Sequence, residues 1–193
     1  MPADGEIRLK AEVRQQVAQI RKSLDAETYT EWSRLITAKI QALSRVKNAG
    51  VVFCYASAAG EPDTFQLIKW MLDEGKMVAL PKTAGRDMKF YYINSTDELK
   101  PGRFGIPEPQ PEEGTREALP DEADVMIIPG VAYDRQHNRV GHGAGYYDRY
   151  ISSAAEKAIL TVAPCFDFQL FDRVETDPWD LPVDVIVTPS VLF

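Results

Sequence analysis

The stretch from Arg139 to Arg149, RVGHGAGYYDR, holds the densest chemistry in the chain. Gly141, Gly143 and Gly145 alternate, and alternating glycines let backbone N–H groups converge on an anion because no Cβ blocks close approach or a positive φ. Arg139 stands before the first glycine, His142 lies inside the run, and Asp148 follows it. A cation beside such a nest suits nucleotide phosphates. A carboxylate at its edge suits magnesium, a hard ion that takes oxygen ligands; Asp148 equally fits a plain interaction with a helix start. The G-x-G-x-G spacing is neither the dinucleotide fingerprint nor a Walker A loop, so by itself it also fits a tight connection.

Other candidates lie far away in sequence. Glu61 stands in ASAAGEPDT, after the apolar run VVFCY. Lys10 and Arg14, four apart, share one face of an N-terminal helix, either as ligands or as a solvated pair. Asp184 precedes the final apolar run DVIVTP, where it could reach the ligand-binding edge or only end the strand. His137 and His142 are the two histidines and have no partner at metal-ligand spacing, which argues against zinc. No G-x-S-x-G elbow is present, so a serine hydrolase finds no support.

The elements that must position these residues follow from hydrophobic period. Val13, Val17, Ile20 and Leu24 predict a helix over 7–24, and Trp32, Ile36, Ile40 and Leu43 a second, ending near Asn48–Gly50. VVFCY, KMVALP, MKFYYI, DVMIIP, AILTVA and DVIVTP read as strands. EPDTFQLIKWMLDEG reads as a helix with Asp63 as N-cap, Gln66 completing a capping box, and Gly75 as the stop. A further helix is expected from about Tyr146 to Glu156, and 101–123 as a long surface loop. Strands alternating with helices predict a three-layer α/β/α fold around a largely parallel or mixed sheet. The 193 residues suit one domain spanning 1–193. Ligands in such sheets gather beyond the carboxyl ends of the strands, where the glycine run and Glu61 both fall.

A net charge of -7 argues against nucleic acid and anionic membrane as partners. Cys54 and Cys165 are too few for a disulfide framework, and Cys54 reads as a buried thiol. Neither a signal peptide nor a membrane span is apparent, so the expected location is the cytoplasm.

Taken in order, Lys10 and Arg14, AAGEPDT, GIPEP at 105–109, PGVAYD at 129–134, RVGHGAGYYDR and PVDVIVT at 182–188 resemble the 5-formyltetrahydrofolate cyclo-ligase family. The resemblance implies an ATP- and magnesium-dependent closure of 5-formyltetrahydrofolate to 5,10-methenyltetrahydrofolate through a phosphorylated formyl group, by a monomer. It implies nucleotide contacts from Lys10, Arg14, Arg139 and the loop Gly141, His142, Gly143, Ala144, Gly145, Tyr146 and Tyr147, with Tyr147 also readable as helix packing. Asp148 and Asp184 match positions expected to hold magnesium, and Glu61 a substrate contact. Tyr146 matches a residue between ATP and folate, which it shares with Arg139 and His142 as the group expected to bear on the reaction. His142 departs from relatives that carry Arg or Tyr there, and an imidazole changes charge near neutrality. Trp179 stands where many relatives have histidine. Two other readings stay open: a folate- or nucleotide-binding module without catalysis, and a sugar-phosphate or acyl-CoA enzyme on a related scaffold.

Overall fold

A computed structural model describes residues 7–102, 105–153 and 159–193. In chain order the elements are α1 (Lys10–Ser23), α2 (Ala26–Ala42), α3 (Ser44–Asn48), β1 (Val51–Phe53), α4 (Phe65–Asp73), β2 (Met77–Ala84), β3 (Asp87–Ile93), β4 (Lys100–Pro101), β5 (Pro107–Glu108), β6 (Val125–Ile127), β7 (Ala132–Asp134), β8 (Arg139–Val140), α5 (Tyr146–Ser152), β9 (Leu160–Pro164), β10 (Leu170–Phe171) and β11 (Val185–Val187). The main sheet runs β11-β9-β6-β1-β2-β3. Its pairs are parallel except β2 with the edge strand β3, which gives the expected largely parallel sheet.

Alternation along each strand splits the core into two layers. Val52, Val125, Ile127, Val162 and Val187 face Ile36, Ile40, Leu67, Ile68 and Met71 of α2 and α4. Phe53, Met126, Ala163 and Ile186 face the other way, toward Phe90, Tyr133 and Tyr150. Phe53 stacks on Phe90 with centroids 4.8 Å apart, and Tyr150 of α5 lies 4.7 Å from Phe90. A third cluster joins Val13 and Val17 of α1 to Val131, Ala132, Val140 and Val174. The N-terminal helix therefore rests on a small separate sheet, β10-β7-β8, beside the strand ends.

Several boundaries differ from those read in the sequence. Residues 7–9 are extended, and Arg8 bridges Val174, so α1 starts at Lys10. The second helix breaks at Leu43, whose φ/ψ of -63/123 separates α2 from α3. Thr64, not Asp63, is the cap residue of α4, and Asp63 accepts the Phe65 N–H at 2.8 Å. The Thr64 hydroxyl is committed elsewhere, donating to Tyr55 O at 2.7 Å. Gly75 does close α4, at φ 74. The helix expected to reach Glu156 is seen as Tyr146–Ser152, its last stretch lying outside the described residues.

The largest departure is β7–β8, which lies between DVMIIP and the glycine run, where the hydrophobic period gave no strand. Its turn is organised by Asp134, which is fully buried. The Asp134 carboxylate accepts N–H groups from Gln136, Asn138 and Val174 at 2.9, 3.0 and 3.1 Å, and the Asn138 amide at 3.0 Å. Four charge-assisted bonds offset the cost of burying that charge. His137 takes φ 67 in the same turn.

Candidate active site

Five parallel strands point their carboxyl ends to one edge, and Glu61 and the glycine loop both emerge there. Glu61 follows β1 through a turn whose Gly60 has φ 79. The side chain is folded back under the loop: Glu61 is 5% exposed, its Oε2 accepting the Ala58 N–H at 3.0 Å. Its Oε1 lies 3.4 Å from His142 Nε2, while His142's side chain is 62% exposed. A residue 81 positions away thus meets the loop directly.

Glu61 also charges its surroundings. Burial holds the hydroxyls of Tyr55 and Tyr147 well above the ordinary tyrosine range, and the Glu61 carboxylate adds to both shifts. Burial, then Cys165, raises Tyr133 in the same way, opposed by Arg139. These phenols stay protonated at neutral pH.

Each glycine of the loop approaches an arginine. A Cβ on Gly141 would lie 3.1 Å from Arg139 Nη1, one on Gly143 3.8 Å from Arg14 Nη2, and one on Gly145 2.9 Å from Arg149 Nη1. Gly143 and Gly145 also adopt φ 99 and 64, which other residues adopt only with strain. Arg14 donates from Nε to Gly141 O at 2.9 Å, so α1 does reach the loop. Among the described residues, the N–H groups of His142, Gly143, Ala144 and Gly145 have no hydrogen-bond partner.

Arg139 is buried beneath the loop rather than displayed on it. Its side chain is 4% exposed and donates to Asp148 Oδ1 at 2.7 Å, while the guanidinium lies 6.0 Å from the Tyr147 ring centroid. Its Nε is buried with no partner among the described residues. Asp148 Oδ1 also accepts the Leu181 N–H at 3.4 Å, and its Oδ2 has no partner among the described residues. One carboxylate oxygen open beside unpartnered loop amides could hold magnesium, which usually takes one or two carboxylates and completes its shell with phosphate and water. Tyr146 extends to the β2–β3 hairpin, its hydroxyl donating to Gly85 O at 2.7 Å. Tyr147 turns inward and packs against both core layers.

Two expected residues are placed differently. Lys10 is on the correct face of α1, but its Nζ lies 2.5 Å from Asp177 and 2.6 Å from Asp180. Burial opposes its charge, yet the two carboxylates outweigh that and hold it above the usual lysine value. Asp184 does not join Asp148. It precedes β11, level with Thr161 at the start of β9, and therefore stands at the opposite edge of the sheet from the loop. Its Oδ2 accepts both the N–H and the hydroxyl of Thr161 at 2.7 Å, so the two aspartates share no partner. Among the described residues, no three His, Cys, Asp or Glu side chains gather as a metal cage.

Arg21, visible in the sequence only as one of the cations along the first helix, was given no site role there. It lies seven residues after Arg14 on the same helix face, its Nη2 donating to Gly130 O at 3.3 Å and its stem packed on Gly60. The repeat of cations at 10, 14 and 21 was the available signal. A separate groove of about 620 Å³ runs between α2 and α4, lined by Tyr29, Arg34, Lys69 and Trp70 among others. It shares no residue with the loop, and Arg34 and Lys69 are paired with Glu31 and Asp73 on their own helices.

Comparison with known proteins identifies the family. Residues 6–189 match the model of the 5-formyltetrahydrofolate cyclo-ligase family. The 5-formyltetrahydrofolate cyclo-ligase of Escherichia coli is 32% identical over 179 residues, covering 90% of this chain and 97% of its own. That of Mycolicibacterium smegmatis is 30% identical over 196 residues, covering 95% of each. The solution structure of Aquifex aeolicus 5,10-methenyltetrahydrofolate synthetase superposes with a TM-score of 0.83 at 34% identity, covering 95% of this chain and 91% of that one.

Proposed function

Because the chain belongs to the 5-formyltetrahydrofolate cyclo-ligase family, we propose that it converts 5-formyltetrahydrofolate to 5,10-methenyltetrahydrofolate at the expense of ATP, with magnesium. The observation that carries this reading is the meeting of Glu61 and His142, 3.4 Å apart, because it sets an acceptor for a heterocycle directly against a loop of open amide donors. A phosphoryl transfer between two bound ligands needs that adjacency, since positioning and charge neutralisation supply most of its rate.

In the proposed reaction the formyl oxygen attacks the terminal phosphate of ATP, a P–O bond forms, and ADP leaves. The weakly nucleophilic amide oxygen thereby becomes part of a good leaving group. Nitrogen 10 then attacks the formyl carbon and loses its proton, the carbon–oxygen bond breaks, and phosphate departs. Magnesium, when bound, would neutralise phosphate charge, and Asp148 Oδ2 is the atom suited to hold it. Arg139 keeps Asp148 in place from below while its Nη1 underlies Gly141. The loop amides donate to phosphate oxygens, Glu61 orients the heterocycle, and Tyr146 closes the side toward the hairpin. Lys10 would reach nucleotide only by loosening from Asp177 and Asp180. The proposal takes the chain as one catalytic domain acting as a cytoplasmic monomer.

The test is direct. Purified protein, ATP, magnesium and 5-formyltetrahydrofolate are mixed, and the methenyl product is followed by its near-ultraviolet absorbance. Turnover that disappears without ATP or with chelator is expected. Folded protein that binds both ligands and leaves the substrate unchanged would establish a binding module instead.

A further inference from the structure

Arg149 is an exposed guanidinium with no carboxylate at ion-pair distance among the described residues, yet it is not idle. Its Nη1 donates to Ala144 O at 2.8 Å and its Nη2 to Arg86 O at 2.7 Å, while its carbon Cζ lies 5.4 Å from the centroid of the Tyr146 ring. Ala144 is the fourth residue of the glycine loop, and Arg86 is at the tip of the β2–β3 hairpin. Tyr146, three residues earlier on α5, reaches the neighbouring hairpin carbonyl of Gly85 at 2.7 Å. One turn of helix thus ties two loops that are about sixty residues apart.

The bond to Ala144 has a geometric consequence. The chain has no cis peptide among the described residues, so each peptide N–H points opposite to the carbonyl of the same plane. With the Ala144 carbonyl drawn to Arg149, the Gly145 N–H must face the other way. Arg14 imposes the same constraint at the other end of the loop: its hold on the Gly141 carbonyl directs the His142 N–H away from α1's guanidinium. Two arginines therefore fix two peptide planes of a segment that glycine would otherwise leave free to rotate.

Resting on the ATP reading above, we infer that Arg149 is a positioning residue for the phosphate loop. It holds the Ala144 and Arg86 carbonyls at once, sets the Gly145 amide for anion binding, and makes the tip of the β2–β3 hairpin respond when phosphate binds. Pre-ordering donors in this way removes an entropy cost that nucleotide binding would otherwise bear. Lysine lacks the planar fork that sends separate nitrogens to the two carbonyls, so it should hold them less firmly.

The experiment compares wild type, Arg149→Ala and Arg149→Lys. Losing one charge-assisted clamp should raise KM for ATP by about tenfold to a hundredfold, with KM for 5-formyltetrahydrofolate unchanged and Lys in between. Amide hydrogen exchange with magnesium-ADP supplies a readout that a merely structural residue would not move. ADP should slow exchange at residues 84–87 and 142–145 in wild type, and at 142–145 alone, more weakly, in Arg149→Ala. Thermal midpoints verify folding; should the alanine variant not fold, the lysine variant must show the intermediate KM and a reduced response at 84–87. Wild-type ATP affinity and hairpin protection in the variants would overturn the inference while leaving the ATP reading intact. Wild type that neither binds nor uses ATP would overturn both.

Discussion

The two edges of the main sheet use the same chemistry for opposite ends. At the strand starts, Asp124 accepts the N–H groups of Gly50 and Val51, both at 2.9 Å, and Asp184 accepts two donors from Thr161. Those carboxylates join neighbouring strands across β1, β6, β9 and β11, and their bonds are spent within the fold. At the strand ends, among the described residues, Glu61 uses one oxygen on Ala58 and offers the other to an exposed histidine, while four consecutive amides of the glycine loop stay open. A carboxylate that bonds backbone holds the sheet together. A carboxylate left with an exchangeable partner, beside donors with none, is equipped for a ligand.

Mutations at the two edges should therefore separate stability from activity. The largest effect is expected from Glu61→Gln, which removes the anionic acceptor and should raise KM for 5-formyltetrahydrofolate about tenfold to a hundredfold with KM for ATP unchanged; steady-state kinetics with each substrate varied will show it, and an ATP-side defect would break the contrast. Asp148→Asn should cut turnover about tenfold or more at limiting magnesium and much less at saturating magnesium. Full activity at low magnesium would remove Asp148 from the metal role. Asp124→Ala leaves two amides without their acceptor and should cost about 1–2 kcal/mol, a fall in Tm of roughly 2–8 °C, with kcat unchanged. Asp184→Asn should behave likewise but more mildly; if it abolished magnesium dependence instead, the division between edges would fail.

Smaller still is the titration at the rim. The Lys10 value is raised above the usual 10.5, so its contribution to stability is complete below that pH and is lost as pH climbs past the raised value. Lys10→Met should flatten the alkaline limb of a Tm-against-pH curve and leave the curve near pH 7 parallel to wild type. Burial pushes Cys54 up to about 12 and Cys165 higher, so neither thiol should react with a disulfide reagent at pH 8 until the protein unfolds.

What the sequence disclosed depended on how local the cause was. Apolar runs such as VVFCY and DVMIIP are self-contained strand signals, and the parallel sheet followed from their alternation with helices. The loop was legible because glycine spacing is a backbone requirement written in one place. The place of Glu61 beyond a strand end followed from its position after VVFCY, whereas the reach of Arg14 to the loop was implied by the resemblance, since its helix face alone also fitted a solvated pair. The β7–β8 hairpin was not, since it depends on Asp134 collecting donors as distant as Val174. Arg149 drew no separate reading because its partners are main-chain carbonyls, which carry no residue signature. Asp184 was misjudged against a rule already in hand: a residue just ahead of a parallel strand stands at the entry edge, away from the ligand-binding side.

The docking of α1 has a bearing on how the cleft comes into being. Arg14 meets Gly141 across 127 residues, and Lys10 meets Asp177 and Asp180 across 167 and 170. During synthesis the first helix leaves the ribosome long before any of these partners exists, so it must wait through most of translation with its basic face unmatched. Contacts of such long separation close late. The docking of α1 is thus among the final features assembled, closing first on Gly141 and then on Asp177 and Asp180 once those residues have emerged.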